Sequence, residues 1–181
     1  MNKIFHYYDA PEKLPVIFDE IFAEKVGGGL VVNATYNRHP GLAVSAEGVC
    51  LKAAKLYEDV DSADTSFKVM KDSGFAANEY IAYGKKAVQI SAVDTTTSEE
   101  YDIITATLGV DMSAGDVVYQ ALAASASSAK PKVTPKYVLG TFLPANCGDE
   151  LAKLVNGANV RKETALFSAE VADLMPSIHL I

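Results

Sequence analysis

The sequence predicts a mainly β protein, a small β-barrel or sandwich-like domain with short N-terminal and C-terminal helices. Three observations carry that expectation. Apolar and polar residues alternate with period two in several short runs, the spacing of a half-buried strand. Those runs are rich in Val, Ile, Thr and Tyr, which suit a pleated surface. Gly, Asn and Asp recur between them, where tight turns demand positive φ or a local side-chain hydrogen bond.

Taken in order, LPVIFDEIFAEKV (14–26) spaces Ile17, Phe18, Ile21, Phe22 and Val26 like one face of a helix, with Asp19, Glu20, Glu24 and Lys25 between them. Gly27-Gly28-Gly29 would end it. A strand is the competing reading, because the apolar block is short. LVVNATY (30–36) is β-rich, and GLAVSAEGVCLKA (41–53) holds two apolar runs around Ala46-Glu47-Gly48. TSFKVMKDSG (65–74) puts Phe67 and Val69 on one face. The clearest hairpin is 85–110. Val88, Ile90 and Ala92 alternate on one strand. Asp102, Ile104, Ala106 and Leu108 share a face of the next, joined through polar DTTTSEE (94–100). DVVYQAL (116–122) and KYVLGTFL (136–143) are further strands, and SASSAKPK (125–132) is a long loop or linker between them. DELAKLVNGANV (149–160) is either a short helix broken at Gly157 or a strand. SAEVADLM (168–175) is a short helix with Ser168 as N-cap, stopped by Pro176 before the strand SIHLI.

A weak internal echo runs through these elements. SAEGVCLKA (45–53) resembles SAGDVVYQA (113–121), and DSGFAANEYIA (72–82) is a looser form. Each sets a turn residue tolerant of positive φ before a strand. In this reading Gly115-Asp116 is a turn, with the Asp116 carboxylate fixing the corner. Two divisions follow: a segment 1–29 for anchoring or oligomerisation, and a β-rich region 30–181, as one barrel or two small ones with a linker near 125–132.

The 181 residues suit one compact domain or two small ones, and 49% hydrophobic content supports a real core. Sixteen basic against 23 acidic residues give a net charge of −7 without a basic cluster, which argues against a general nucleic-acid binder. No apolar run has the length of a membrane span or a signal-peptide core. Cys50 and Cys147 form neither a disulfide framework nor a metal motif and fit a reducing folding compartment.

Candidate chemistry is sparse. Cys50 with His39 as base would be a nucleophilic pair, but GVCLK sets Cys50 in an apolar strand, where a thiol packs as a small hydrophobe. His6, His39 and His179 have no metal-ligand spacing. Glu99, Glu100 and Asp102 flank a hairpin turn and are expected to face solvent. Asp61 and Asp64 are spaced like part of a calcium loop but lack its Gly and final Glu. No catalytic residue, cofactor or metal is expected. Phe5, Tyr7 and Tyr8, with Ile17, Phe18, Ile21 and Phe22, are the candidate partner-binding residues.

TYNRHPGLAVSAEGVCLK, then FKVMKDSGFAANEYIAYGKKAVQISAVDTTTSEEYDIITATLGVDMSAGDVVYQA, then VTPKYVLGTF and a closing LMPSIHLI resemble phage and prophage head-fibre or capsid-decoration proteins. The resemblance covers residues 35–181 and rests on the order and spacing of strand and turn motifs. Ala46-Glu47-Gly48 departs from the Ala-Gly turn common there. The resemblance implies a structural role on the capsid exterior, bound to the major capsid protein, often as a homotrimer. It also implies folding in the host cytoplasm, with no membrane or nucleic-acid partner and no catalytic residues. Segment 1–26 is then expected to be removable without harm to the β region. Two alternatives stand beside it. One is a non-catalytic adhesion or receptor-binding module, which would show Tyr with Asn or Asp in a groove. The other is a cysteine-dependent autoprocessing enzyme of small β-barrel form.

Overall fold

Alternation at 66–70 and 101–108 sets apolar side chains on one face of two strands, which pair so that this face is buried. The same logic repeats along the chain. The computed structural model describes residues 16–181 and contains β1 (Phe18–Glu24), β2 (Gly29–Val31), β3 (Ala43–Ser45), β4 (Ala53–Lys55), β5 (Ser66–Met70), β6 (Tyr80–Tyr83) and β7 (Lys86–Gln89). There follow β8 (Ala92–Asp94), β9 (Tyr101–Thr105), β10 (Val117–Ala121), β11 (Pro135–Leu139), β12 (Glu150–Ala152), β13 (Leu154–Val160), α1 (Ala169–Ala172) and β14 (Ile178–Leu180). The protein is mainly β.

Among the described residues the strands form four sheets. One has the order β1-β13-β11-β3, with β14 added parallel to the far end of β13. A second runs β4-β10-β6-β7, a third β5-β9-β8, and a two-stranded piece joins β12 to β2. The stretch 149–160 is therefore strand, as β12 and β13. The C-terminal helix forms as expected after Ser168, although it is a single turn and Ser168 makes no side-chain cap.

The N-terminal helix expected over 14–26 is instead an edge strand. β1 pairs antiparallel with β13 through Phe18↔Val160, Ile21↔Ala158 and Glu24↔Val155, with register shifts at three places. Two of the shifts put an extra residue into β1, so the side chains that reach the core do not recur every second position. Ile17, Phe18 and Ile21 fall on the core side at three- and four-residue intervals, which imitates a helical stripe. The expected strand through Val88, Ile90 and Ala92 also divides: β7 pairs with β6, and β8 pairs with β9 in another sheet.

The second sheet is a shared wall. Ala53, Tyr119 and Ala82 pack into one apolar core, while Ala54, Val118 and Ile81 pack into another on the opposite face. Strands buried on both faces read as continuous apolar runs, as VVYQA does. Two of the echoing stretches, 113–121 and 72–82, lead into the neighbouring strands β10 and β6 of this wall, while 45–53 first pairs back on β3 and reaches the wall only at Ala53, the first residue of β4. The turns of the three stretches carry positive φ at Gly48 (85°), Gly115 (87°) and Asn78 (69°). The stretch 125–132 runs beside the same sheet, where Ser125 bridges Ala87 and Pro131 bridges Ala121.

Candidate interaction surfaces

Phe5, Tyr7 and Tyr8 lie outside the described residues. Of the remaining candidates, Ile17 is buried in the larger core, and Phe18 and Ile21 are half-buried against it. Only Phe22 is free to meet a partner, at 53% exposure, with its ring centroid 6.2 Å from that of His179. Val26, 96% exposed, continues this tip past the end of β1. Ion pairs frame it: Asp19 with Arg161 at 3.0 Å and Glu24 with Lys153 at 3.3 Å. Such exposed pairs orient side chains more than they stabilise the fold.

The expectation that 1–26 can be removed does not survive this arrangement. Ile17 is a core residue, and β1 covers one whole side of β13.

A groove of about 390 Å³ lies where the two cores meet. Its floor is Ala53 and Ala54 of β4, with His39, Pro40 and Leu166 on the larger-core side and Met70 on the other. Lys55 closes one end by donating to the backbone carbonyls of Lys162 and Glu163, and partial burial lowers its pKa. The His39 Nε2 atom is buried there without a hydrogen-bond partner, and burial also lowers the imidazole pKa, favouring the neutral ring. An adjoining pocket of about 440 Å³ is lined by Tyr36, Asn37, Phe75 and Thr95, and shares Lys71 and Asp72 with the groove.

Asp102 corrects the expectation that it faces solvent: it is only 1% exposed. Its Oδ2 accepts from the Ser73 backbone N–H at 3.0 Å and the Ser73 hydroxyl at 2.8 Å. Its Oδ1 lies 3.2 Å from Lys71 Nζ. Lys71 also donates to the carbonyls of Thr95 and Ser98, so the carboxylate and ammonium together tie the β8–β9 connection to the end of β5. The alternation that groups Asp102 with Ile104 and Leu108 is the signal that it belongs to the buried face. Glu99 and Glu100 are exposed as expected.

The expected turn carboxylate behaves as one. Asp116 Oδ2 accepts from the Ser113 N–H at 3.0 Å and from the Tyr83 hydroxyl at 2.7 Å. That hydrogen bond, with some burial, pushes the Tyr83 phenol up to about 12. Asp61 and Asp64 also serve their own loop, accepting from the N–H groups of Ala63 and Asp61. Among the described residues no cluster of His, Cys, Asp and Glu could hold a metal ion.

Burial pushes the Cys50 thiol up to about 12, the reverse of an activated nucleophile. Sequence reasoning passed over Arg38, which is fully buried. Its Nη1 donates to the Val32 carbonyl at 2.6 Å, and its Nη2 to the Pro144 carbonyl at 2.9 Å and to Cys147 Sγ at 2.8 Å. It ties its own neighbourhood, at Val32, to the distant stretch 144–147, and an isolated Arg in NRHPG carries no signal of that. Comparison with protein-family models, with curated proteins and with solved structures finds no match to this chain.

Proposed function

We propose that this chain is a non-catalytic virion structural protein, a head-fibre or decoration protein that sits on the outside of a phage capsid, bound to the major capsid protein as a homotrimer. The observation that carries the reading is the position of β1. It leads from segment 1–15 along the open edge of the largest sheet to an exposed apolar tip, Phe22 and Val26. An aromatic-containing segment followed by such a tip suits an attachment arm on a rigid β scaffold. The net charge of −7 supports an exterior position, because a protein facing packaged DNA gains from basic charge.

The test is co-sedimentation with purified capsids of the phage or prophage that encodes the chain, with mass in solution measured in parallel. The full chain is expected to co-sediment and to run as a trimer. Removal of residues 1–15, or Phe22→Asp, is expected to abolish capsid binding while the β circular dichroism signal stays intact. A full chain that stays in the supernatant would overturn the proposal.

The adhesion-module reading has its own support. The pocket beside the groove sets Tyr36 and Phe75 next to Asn37 and Asp72, the mixture of aromatic and amide or carboxylate groups that suits a polar ligand such as a sugar. Saturating binding of a soluble oligosaccharide, lost in Tyr36→Ala, would favour it.

A further inference from the structure

Arg38 carries its positive charge into the interior, where its side chain is fully buried. A buried charge is normally met by an opposite one. Arg38 instead donates to two carbonyls, of Val32 and Pro144, and to the Cys147 thiol, which itself donates to the Gly148 carbonyl at 3.6 Å. The acids that bind the neighbouring segments serve other donors: Asp72 accepts from the Asn37 amide at 2.9 Å, and Asp149 from the Asn33 N–H at 2.8 Å. Among the described residues no carboxylate forms an ion pair with Arg38. The Arg38 Nε atom is buried with no hydrogen-bond partner, a strong donor of the kind that folded proteins seldom leave unmet. The backbone holds this side chain in place, because Arg38 and Leu143 exchange both main-chain hydrogen bonds, at 2.8 and 2.9 Å.

Arg38 lines a cavity of about 180 Å³, together with Asn33, Tyr36, Cys50, Lys52 and Gln120. We propose that this cavity binds a small oxyanion, a phosphate or a carboxylate, with Arg38 as its buried cation and Lys52 as its second. Among the described residues none that lines it is Asp or Glu. The remaining ionisable groups of the lining stay uncharged. Burial raises the pKa of the Tyr36 phenol, whose hydroxyl donates to the Cys50 carbonyl at 3.2 Å, and burial pushes the Cys50 thiol up to about 12. Lys52 Nζ lies 2.6 Å from Glu79 Oε1 and 5.3 Å from the centre of the Tyr36 ring. Glu79 thus balances Lys52, and the charge of Arg38 is left for a ligand. Guanidinium and ammonium groups make strong, charge-assisted hydrogen bonds to phosphate and carboxylate oxygens, and the Asn33 and Gln120 amides add neutral donors. A donor already fixed by its surroundings loses little freedom when the ligand arrives. A chain of net charge −7 has no general attraction for anions, so anion binding marks a local site. The inference goes beyond the capsid reading and does not depend on it.

The test is titration of the full chain with inorganic phosphate, and separately with acetate, against sodium chloride at equal ionic strength. The expected result is a saturable heat of binding for at least one of the two oxyanions, with a thermal midpoint that rises with its concentration. Chloride should give neither response. Lys52→Gln should weaken the binding at least ten-fold. Lys162→Gln, at an exposed lysine outside the cavity, should leave it unchanged. The Arg38 Nε–H resonance in proton–nitrogen correlation spectra reads the site directly and needs no variant to fold. It should move progressively as the anion is added and stop moving at saturation. Absence of saturable binding, equal affinity in the two lysine variants, or an Nε–H resonance unmoved at saturation would each overturn the proposal. Capsids take no part in these measurements, so failure here leaves the function proposal standing.

Discussion

The smaller core comes from one continuous stretch, 54 to 118, whereas the larger core joins residues on both sides of it, from Ile17 to Ile178. Among the described residues, that stretch adds to the larger core the buried Ala82, Ala87 and Val117 and the half-buried Tyr80, all in the shared sheet. The smaller core can close its contacts locally. The larger one must bring distant ends together around it, as in β1 against β13 and β3 against β11. Contacts of long sequence separation form late, because loop closure is unfavourable before they exist. The smaller core and the shared sheet are therefore the natural nucleus, with the larger core completed onto them.

The strongest way to break this comparison is to hollow each core in turn. Phe67 and Phe167 are equivalent probes, at 3% and 2% exposure. Either change to Ala is expected to cost about 3–5 kcal/mol in chemical denaturation. The pattern of hydrogen exchange should differ. Phe167→Ala should release the amides of β1, β13 and β14 while β5 and β9 stay protected, and Phe67→Ala should release both regions. Equal loss throughout in both variants would mean that the two cores unfold as one unit.

A sharper comparison uses the two echoing turns. Gly48 and Gly115 have nearly the same φ, 85° and 87°, but different surroundings. A Cβ at Gly48 would come within 2.0 Å of the Leu30 carbonyl oxygen, whereas one at Gly115 would meet nothing within 4 Å. Gly115→Ala should lose about 1 kcal/mol from the left-handed backbone alone, and Gly48→Ala clearly more, above about 2 kcal/mol. Similar losses in thermal unfolding would show that the Leu30 segment yields without resistance, and so that the larger core's turn is no tighter than the smaller core's.

The smallest effect concerns Asp116, at the seam between the cores. Asp116→Asn should cost about 1 kcal/mol or less, because an amide oxygen can still accept from Ser113. Ultraviolet titration should show the Tyr83 phenol falling from about 12 toward its ordinary value near 10. The sign follows from the neutral phenol being the favoured form in the folded chain. The stabilisation is whole below pH 10 and fades as pH rises from about 10 to 12, so the variant should differ from the parent least at the alkaline end.

Much of the β architecture was legible because alternation reports burial of one face, as at Phe67 and Val69 and from Ile104 to Leu108, and because the continuous apolar run Val117 to Ala121 reads as a strand covered on both faces. The turns were legible for a local reason too, since Gly48, Asn78 and Gly115 supply conformations that other residues resist. The division of 85–92 between two sheets was hidden, because period two is the same whichever neighbour a strand chooses. The groove was hidden more deeply. Its walls come from residues as far apart as His39 and Leu166, and nothing local marks Ala53 and Ala54 as its floor. Of the expected partner-binding residues between 17 and 22, only Phe22 kept its exposure, because apolar side chains beside a sheet are drawn into its core.

The irregular spacing of β1 has a consequence for the molecule in company. A long, regular, apolar edge strand is a template on which other chains stack into fibrils. β1 lies at such an edge, but its repeated register shifts spoil the even ladder that an incoming strand needs, and Asp19, Glu20 and Glu24 set negative charge along it. The departure from period two that makes 17–26 look helical to a reader makes it equally illegible to a neighbouring strand, and so lets Phe22 stand exposed without recruiting aggregation.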